Sequence, residues 1–200
     1  MPDRLSALAA AYKVGRHGNP AAEPAVSLRE VPALAMVQVS WSPAGEAAVG
    51  EALAGVAGTP VTVPEAGRAV EAGALTVLWS GPRRILAVGA DAGLPAALDA
   101  AFATVQGAAA VDLSQARTVV RVEGPGLRPL LSKGAPVDLH PGVAPVGSAI
   151  STRFNHFAVL LHLRAADQAD VYVTRSFAQS FWWELTDLAA EQGYEVASAG

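Results

Sequence analysis

Apolar segments of two different periods alternate along this chain in a fixed order, and that order occurs twice. The first run opens with Met36-Val-Gln-Val-Ser-Trp41, where Val37, Val39 and Trp41 share one face, as a half-buried strand requires. Ala44–Ala57 follows with a glycine-interrupted helical pattern stopped by Thr59-Pro60, and Val61–Val63 reads as a short strand. Leu75–Trp79, the turn Ser80-Gly81-Pro82 and Ile85–Val88 form a hairpin; Leu94–Val105 has helical spacing and Ala109–Leu113 closes the run as a strand. The second run repeats this: strand Thr118–Val122, helix Pro125–Ser132 opened by proline and closed by Gly134, then strands Ala149–Phe154, Phe157–Leu163 and Asp170–Val173. Ser176-Phe-Ala-Gln179 has capping-box spacing for a helix to about Gln192, Gly193 suits a left-handed C′ position, and Tyr194–Ala197 is a last strand.

Strand, helix, strands, helix, strand is the split βαβ order of ferredoxin-like folds. An α+β protein of two ferredoxin-like halves is therefore expected, with residues 1–30 as an N-terminal extension in which Leu5–Tyr12 is loosely attached or helical, 31–114 as the first half and 115–200 as the second. The duplication lies in element order and not in residue identity, so a single mixed α+β domain is the competing reading.

Apolar runs such as Val31–Val37, which contains Pro32, and Phe157–Leu161 fall far short of the ~20 residues of a membrane span. Leu5–Tyr12 is apolar but short for a signal h-region, and Asp3 precedes it beside Arg4. With no cysteine there is no disulfide framework, thiolate nucleophile or thiolate metal site, and a cytoplasmic location is expected. A net charge of -4 supplies no basic field for nucleic acid or an anionic membrane surface. Charged residues make up 16% of the chain and arginine exceeds lysine 12 to 2, which a GC-rich genome explains, as does a surface partly covered by another subunit.

Chemistry-bearing patterns are sparse. Neither phosphate-cradling glycine loop occurs, and in Gly124-Pro125-Gly126 the proline removes a donor that an anion would need. The histidines His17, His140, His156 and His162 form no ligand spacing; His156 and His162, read on one extended strand, would stand about 20 Å apart. No nucleophile elbow is present, and most carboxylates fall on solvated helix faces. No catalytic, cofactor-binding or metal residue is assigned.

Two segments stand out. Lys133-Gly-Ala-Pro-Val-Asp-Leu-His-Pro141 packs two prolines and a glycine around Asp138 and His140, as a rigid, shaped loop or simply a helix cap with a proline-fixed turn. In the last helix Phe177, Phe181, Leu185 and Leu188 follow core spacing while Trp183 projects to the far side with Ser180 and Asp187. A tryptophan there asks for a partner, unless the helix is buried on both sides.

These segments, with Val120-Arg-Val-Glu-Gly-Pro125, Val171–Trp182 and Trp79-Ser-Gly-Pro82, resemble the gamma subunit of heterotetrameric sarcosine oxidase over about residues 27–195. The resemblance implies a complex of alpha, beta, gamma and delta subunits that demethylates sarcosine to glycine. Oxygen is reduced to hydrogen peroxide, and the one-carbon unit passes to tetrahydrofolate or leaves as formaldehyde. FAD, FMN and NAD would belong to the alpha and beta subunits, zinc to delta, and none to this chain. The gamma subunit is also similar in fold to the folate-binding domains of the glycine-cleavage aminomethyltransferase. Departures are Arg83-Arg84, where an acidic residue and a tryptophan are common, and Ala135, where a cysteine is common. Candidate partner contacts are Lys133, Asp138, His140, Arg175 and Trp183. A non-catalytic subunit docked on alpha is the leading reading. The others are a stand-alone folate-binding or one-carbon transfer protein, the equivalent subunit of an N-methylglutamate dehydrogenase, and a free homodimer.

Overall fold

The computed structural model describes residues 5–20 and 23–198. In chain order the elements are β1 (Gly15–His17), β2 (Val26–Glu30), β3 (Ala35–Trp41), α1 (Glu46–Ala57), β4 (Ala69–Ala72), β5 (Leu75–Gly81), β6 (Arg84–Gly89) and α2 (Leu94–Phe102). There follow β7 (Ala108–Asp112), β8 (Arg117–Glu123), α3 (Leu127–Gly134), β9 (Ala149–Phe154), β10 (Phe157–Ala165), β11 (Gln168–Thr174), α4 (Ala178–Ala190) and β12 (Tyr194–Val196). The chain divides into two compact units: an inserted unit, Ala33–Gln115, and an outer unit made of the segments before and after it.

The inserted unit is a five-stranded antiparallel sheet in the order β4-β5-β6-β3-β7, with α1 and α2 over one face. Leaving β4 aside, this is the ferredoxin-like arrangement expected. Val37, Val39, Val77, Ile85 and Ala87 alternate inward to meet Leu53, Leu98 and Phe102 of the helices. Val61–Val63, expected as a strand, lies in an irregular segment. The strand of this region is β4, whose residues other than Val70 have little intrinsic strand preference and are held by the ladder to β5.

The outer unit is a seven-stranded sheet in the order β1-β12-β2-β8-β11-β10-β9. Its helices bury faces at 3.6-residue spacing: Leu127, Leu130, Leu131 and Gly134 on α3; Ala178, Phe181, Trp182, Leu185 and Ala189 on α4. The helix expected from Pro125 begins at Leu127, and α4 has no side-chain cap, because Arg175–Phe177 forms a 3-10 turn in place of a capping box. Phe177, expected in the core, is therefore displaced from the α4 face and 54% exposed. Gly193 does take the left-handed conformation, at φ 74°.

The N-terminal segment corrects the sequence reading most. Residues 1–4, with Asp3 and Arg4, and residues 21–22 lie outside the described residues, but the rest of the expected extension is integral to the outer unit. Strand β2 lies between β8, to which it is antiparallel, and β12, to which it is parallel. Leu8 is fully buried in the core, and the Tyr12 hydroxyl donates to the Ala197 carbonyl at 2.6 Å and accepts from the Glu30 N–H at 3.1 Å. Burial is the main cause that raises the Tyr12 phenol above its ordinary pKa.

Candidate partner-docking surface

The loop after α3 is shaped by contacts within its own unit. A Cβ on Gly134 would stand 2.6 Å from the Phe154 ring, so only glycine fits where α3 meets β9. Arg128 donates from α3 to the carbonyls of Leu139 and Ala144, both buried, and pins the loop at two points. Asp138 Oδ1 accepts the His140 N–H at 2.8 Å, and His140 Nδ1 accepts the Gly142 N–H at 3.1 Å. Both side chains thus fold the loop onto itself, in the local turn chemistry that Asp favours. Ala135, the position where cysteine is common in the resemblance, is 4% exposed.

Lys133 reaches across to α4. Its ammonium donates to the Leu188 carbonyl at 3.1 Å and to Glu191 Oε2 at 2.6 Å, placing a cation at the C-terminal end of the helix dipole. That hydrogen bond, and then the charge of Lys133, hold the Glu191 carboxyl below its ordinary pKa. Arg175 donates to the Leu5 carbonyl and ties the 3-10 turn to the N-terminal segment.

Trp183 differs from these four. Its neighbour Trp182 is buried, with its ring 5.2 Å from Tyr12, whereas Trp183 is 57% exposed and has no ring contact or side-chain hydrogen bond among the described residues. It stands on the wall of an open cleft of ≈ 290 Å³, with Ala11, Lys13, His17, Trp182 and Tyr194 around it. The His17 ring stacks on Tyr194 at 5.3 Å and its Nε2 lies 2.8 Å from the Lys13 carbonyl, so the floor of the cleft is held in place. Phe177, against Phe157 with ring centroids 6.1 Å apart, is a second exposed aromatic side chain of this unit. Of the five sequence candidates, Asp138 and His140 are joined by a hydrogen bond; Lys133, Arg175 and Trp183 stand apart.

A buried polar network was missed by the sequence reading. Asp170, 1% exposed, accepts two hydrogen bonds from Arg121, at 2.6 and 2.8 Å, and a longer one from Arg164 at 3.4 Å. The hydrogen bond to Asp170 raises the Arg121 pKa against the effect of burial. Arg121 and Asp170 are direct cross-strand partners on β8 and β11, so the network fixes register in the middle of the sheet. His162 lies on β10 while His156 sits in the turn before it, not on one extended strand. No group of three or more metal-ligating side chains occurs among the described residues. No helix among them is long and apolar enough to cross a membrane.

A family model described as the sarcosine oxidase, gamma subunit family, matches residues 40–191. The chain belongs to that family. It is 38% identical over 156 residues to the sarcosine oxidase subunit gamma of an Arthrobacter species, covering 76% of this chain and 74% of the relative. With the gamma subunit of Corynebacterium sp. strain U-96 the identity is 32% over 184 residues, covering 88% and 86%. Among solved structures, a chain of the heterotetrameric sarcosine oxidase from Corynebacterium sp. U-96, in complex with pyrrole 2-carboxylate, superposes with a TM-score of 0.79 at 28% identity. That match covers 98% of this chain and 99% of that one. Glycine cleavage system aminomethyltransferase T from Bartonella henselae shares the fold alone, at 12% identity and a TM-score of 0.61, over 94% of this chain and 56% of that one. The gamma subunit family thus has the α+β fold that the element order implies.

Proposed function

We propose that this chain is the non-catalytic gamma subunit of a heterotetrameric sarcosine oxidase, docked on the alpha subunit through the aromatic surface around Trp183. The observation that carries this reading is the near end-to-end likeness to a chain of such an enzyme. The exposed Trp183 on its open cleft supports the docking role, since tryptophan recurs among the few residues that dominate interface energetics. In this reading the complex oxidises the N-methyl group of sarcosine, leaving glycine. Hydrogen peroxide forms from oxygen and the one-carbon unit passes to tetrahydrofolate. FAD, FMN, NAD and zinc are held by the alpha, beta and delta subunits, and the assembly works in the cytoplasm. Lys133, Asp138, His140 and Arg175 shape the subunit, and any contact they make with a partner is secondary to that.

Purification of the tagged chain from its own host in mild salt tests the proposal, with mass, visible spectrum and sarcosine-dependent peroxide production as readouts. A yellow assembly with larger chains and that activity is expected. A colourless lone chain overturns the reading, and tight folate binding by it would favour a stand-alone folate-binding protein, which the aminomethyltransferase fold accommodates.

A further inference from the structure

Among the described residues the two sheets have four edge strands, and three are blunted. Strand β1 is three residues long with Arg16 at its centre, β4 carries Glu71 and β9 carries Arg153. Strand β7, Ala-Ala-Ala-Val-Asp, carries no charge before its last residue, Asp112, and Val111 is 51% exposed. Charges within an edge strand are the usual guard against pairing with another chain.

The register of β7 on β3 shows what this edge offers. The Leu113 N–H donates to the Met36 carbonyl and the Ser42 N–H to the Gly107 carbonyl, both at 2.7 Å, so alternate residues between them, Ala109 and Val111, bond to β3. Ala110 and Asp112 therefore turn their N–H and C=O groups away from β3, to the open side. Along this edge runs a groove of ≈ 250 Å³ lined by Val37, Pro95, Ala96, Asp99, Ala110 and Asp112. Asp99 is exposed on α2 with no side-chain partner among the described residues, and Asp112 accepts from Ser114 through Oδ1 alone. In the outer unit the sheet does continue past the corresponding strand: β2 holds beside β8 the place that β7 holds beside β3, and β12 is laid parallel along its other side.

We propose that the β7 edge is a second docking site, where an extended segment of a partner subunit bearing a lysine or arginine adds a strand to this sheet and sets its cation between Asp99 and Asp112. Backbone hydrogen bonds supply the pairing, and the two carboxylates supply the selection. A second copy of β7 fits less well, since β7 has no cation and would leave both acids unmatched. This inference rests on the reading of the chain as a subunit of a larger complex.

The test uses the complex assembled by co-expression with the larger chains of the host enzyme, and compares hydrogen exchange in residues 108–112 of the full chain alone and assembled. Ala110 and Asp112 amides are expected to exchange freely in the lone chain and to be protected in the complex. Ala110→Pro removes an outward donor and no bond to β3, so it should leave the thermal midpoint of the lone chain unchanged while weakening assembly about tenfold. Asp99→Lys should weaken assembly about threefold at low salt, with the difference shrinking as salt rises. Failure of the wild-type chain to recover any larger chain overturns the subunit reading, and this inference with it. Assembly with both amides unprotected, or both variants assembling like wild type, overturns the inference alone. Protection of the same amides in a homodimer of the lone chain assigns the edge to a second copy and overturns it too.

Discussion

Beside β8 of the outer unit the N-terminal segment supplies β2, and beyond it β12 and the short β1 continue the sheet; in the inserted unit β3 pairs directly with β7, and there the sheet stops. The same order of elements thus carries two different sheet margins. The sides also differ in what fills them. Trp41, Trp79 and Phe102 are the aromatic residues of the inserted unit, while the outer unit holds the remaining nine and the buried Arg121–Asp170–Arg164 network. Element order decides which strands are central. What lies at the margin depends on which spare segment of chain is within reach, and the outer unit has one.

The largest expected effect tests the interior of the better-sealed unit. Asp170→Ala leaves two guanidiniums without their shared carboxylate and should cost about 3–5 kcal/mol in denaturant unfolding. A cost below about 1 kcal/mol would mean that the network adds nothing to the outer unit beyond its apolar packing. Next in size is Leu8→Ala. A segment that merely hangs from the fold would lose nothing, whereas a fully buried Leu8 should cost about 2–4 kcal/mol, measured the same way. Trp183→Ala should change the stability of the lone chain by less than about 0.5 kcal/mol while lowering the recovery of larger chains in co-purification. Equal loss of both would mean that the indole belongs to the fold. Smallest is Glu191→Gln. Lys133 lowers the Glu191 pKa in the folded state, so the contribution of the pair is present above the ordinary carboxylate range and disappears as pH falls through the lowered value. The thermal midpoint of the variant should therefore lie slightly below wild type at neutral pH and meet it in acid.

Much of this was written locally in the chain. The hairpin β5–β6 follows from the Gly-Pro signal between two β-rich runs, although Ser80 and Gly81, expected in the turn, end β5 and the turn itself is Pro82-Arg83; the outward projection of Trp183 follows from its angle on α4. What escaped depends on pairings across long stretches of sequence. Val26-Ser-Leu-Arg-Glu30 does alternate, but it follows a lead rich in proline and glycine, and its partner β8 comes only after the whole inserted unit. Asp170 and Arg121 look like ordinary strand polar residues until the register sets them opposite one another. The partner of Lys133 was hidden for the same reason, since α3 and α4 meet only in the folded unit. Phe177 was misplaced because a 3-10 turn of three residues rotates it off the face that the helical period of α4 assigns.

The placement of β12 has a consequence for the order in which the protein is made. The inserted unit is one continuous stretch, complete once the ribosome has passed Gln115, and can pack as it emerges. The outer unit begins earlier and finishes later, because β1 and β2 are at one end of the chain and β12, the strand that joins them, is at the other. Its N-terminal strands must therefore wait through the synthesis of an entire folded neighbour before their last partner exists. Any truncation or stall before Tyr194 leaves the β2 edge bare, while the inserted unit is already formed.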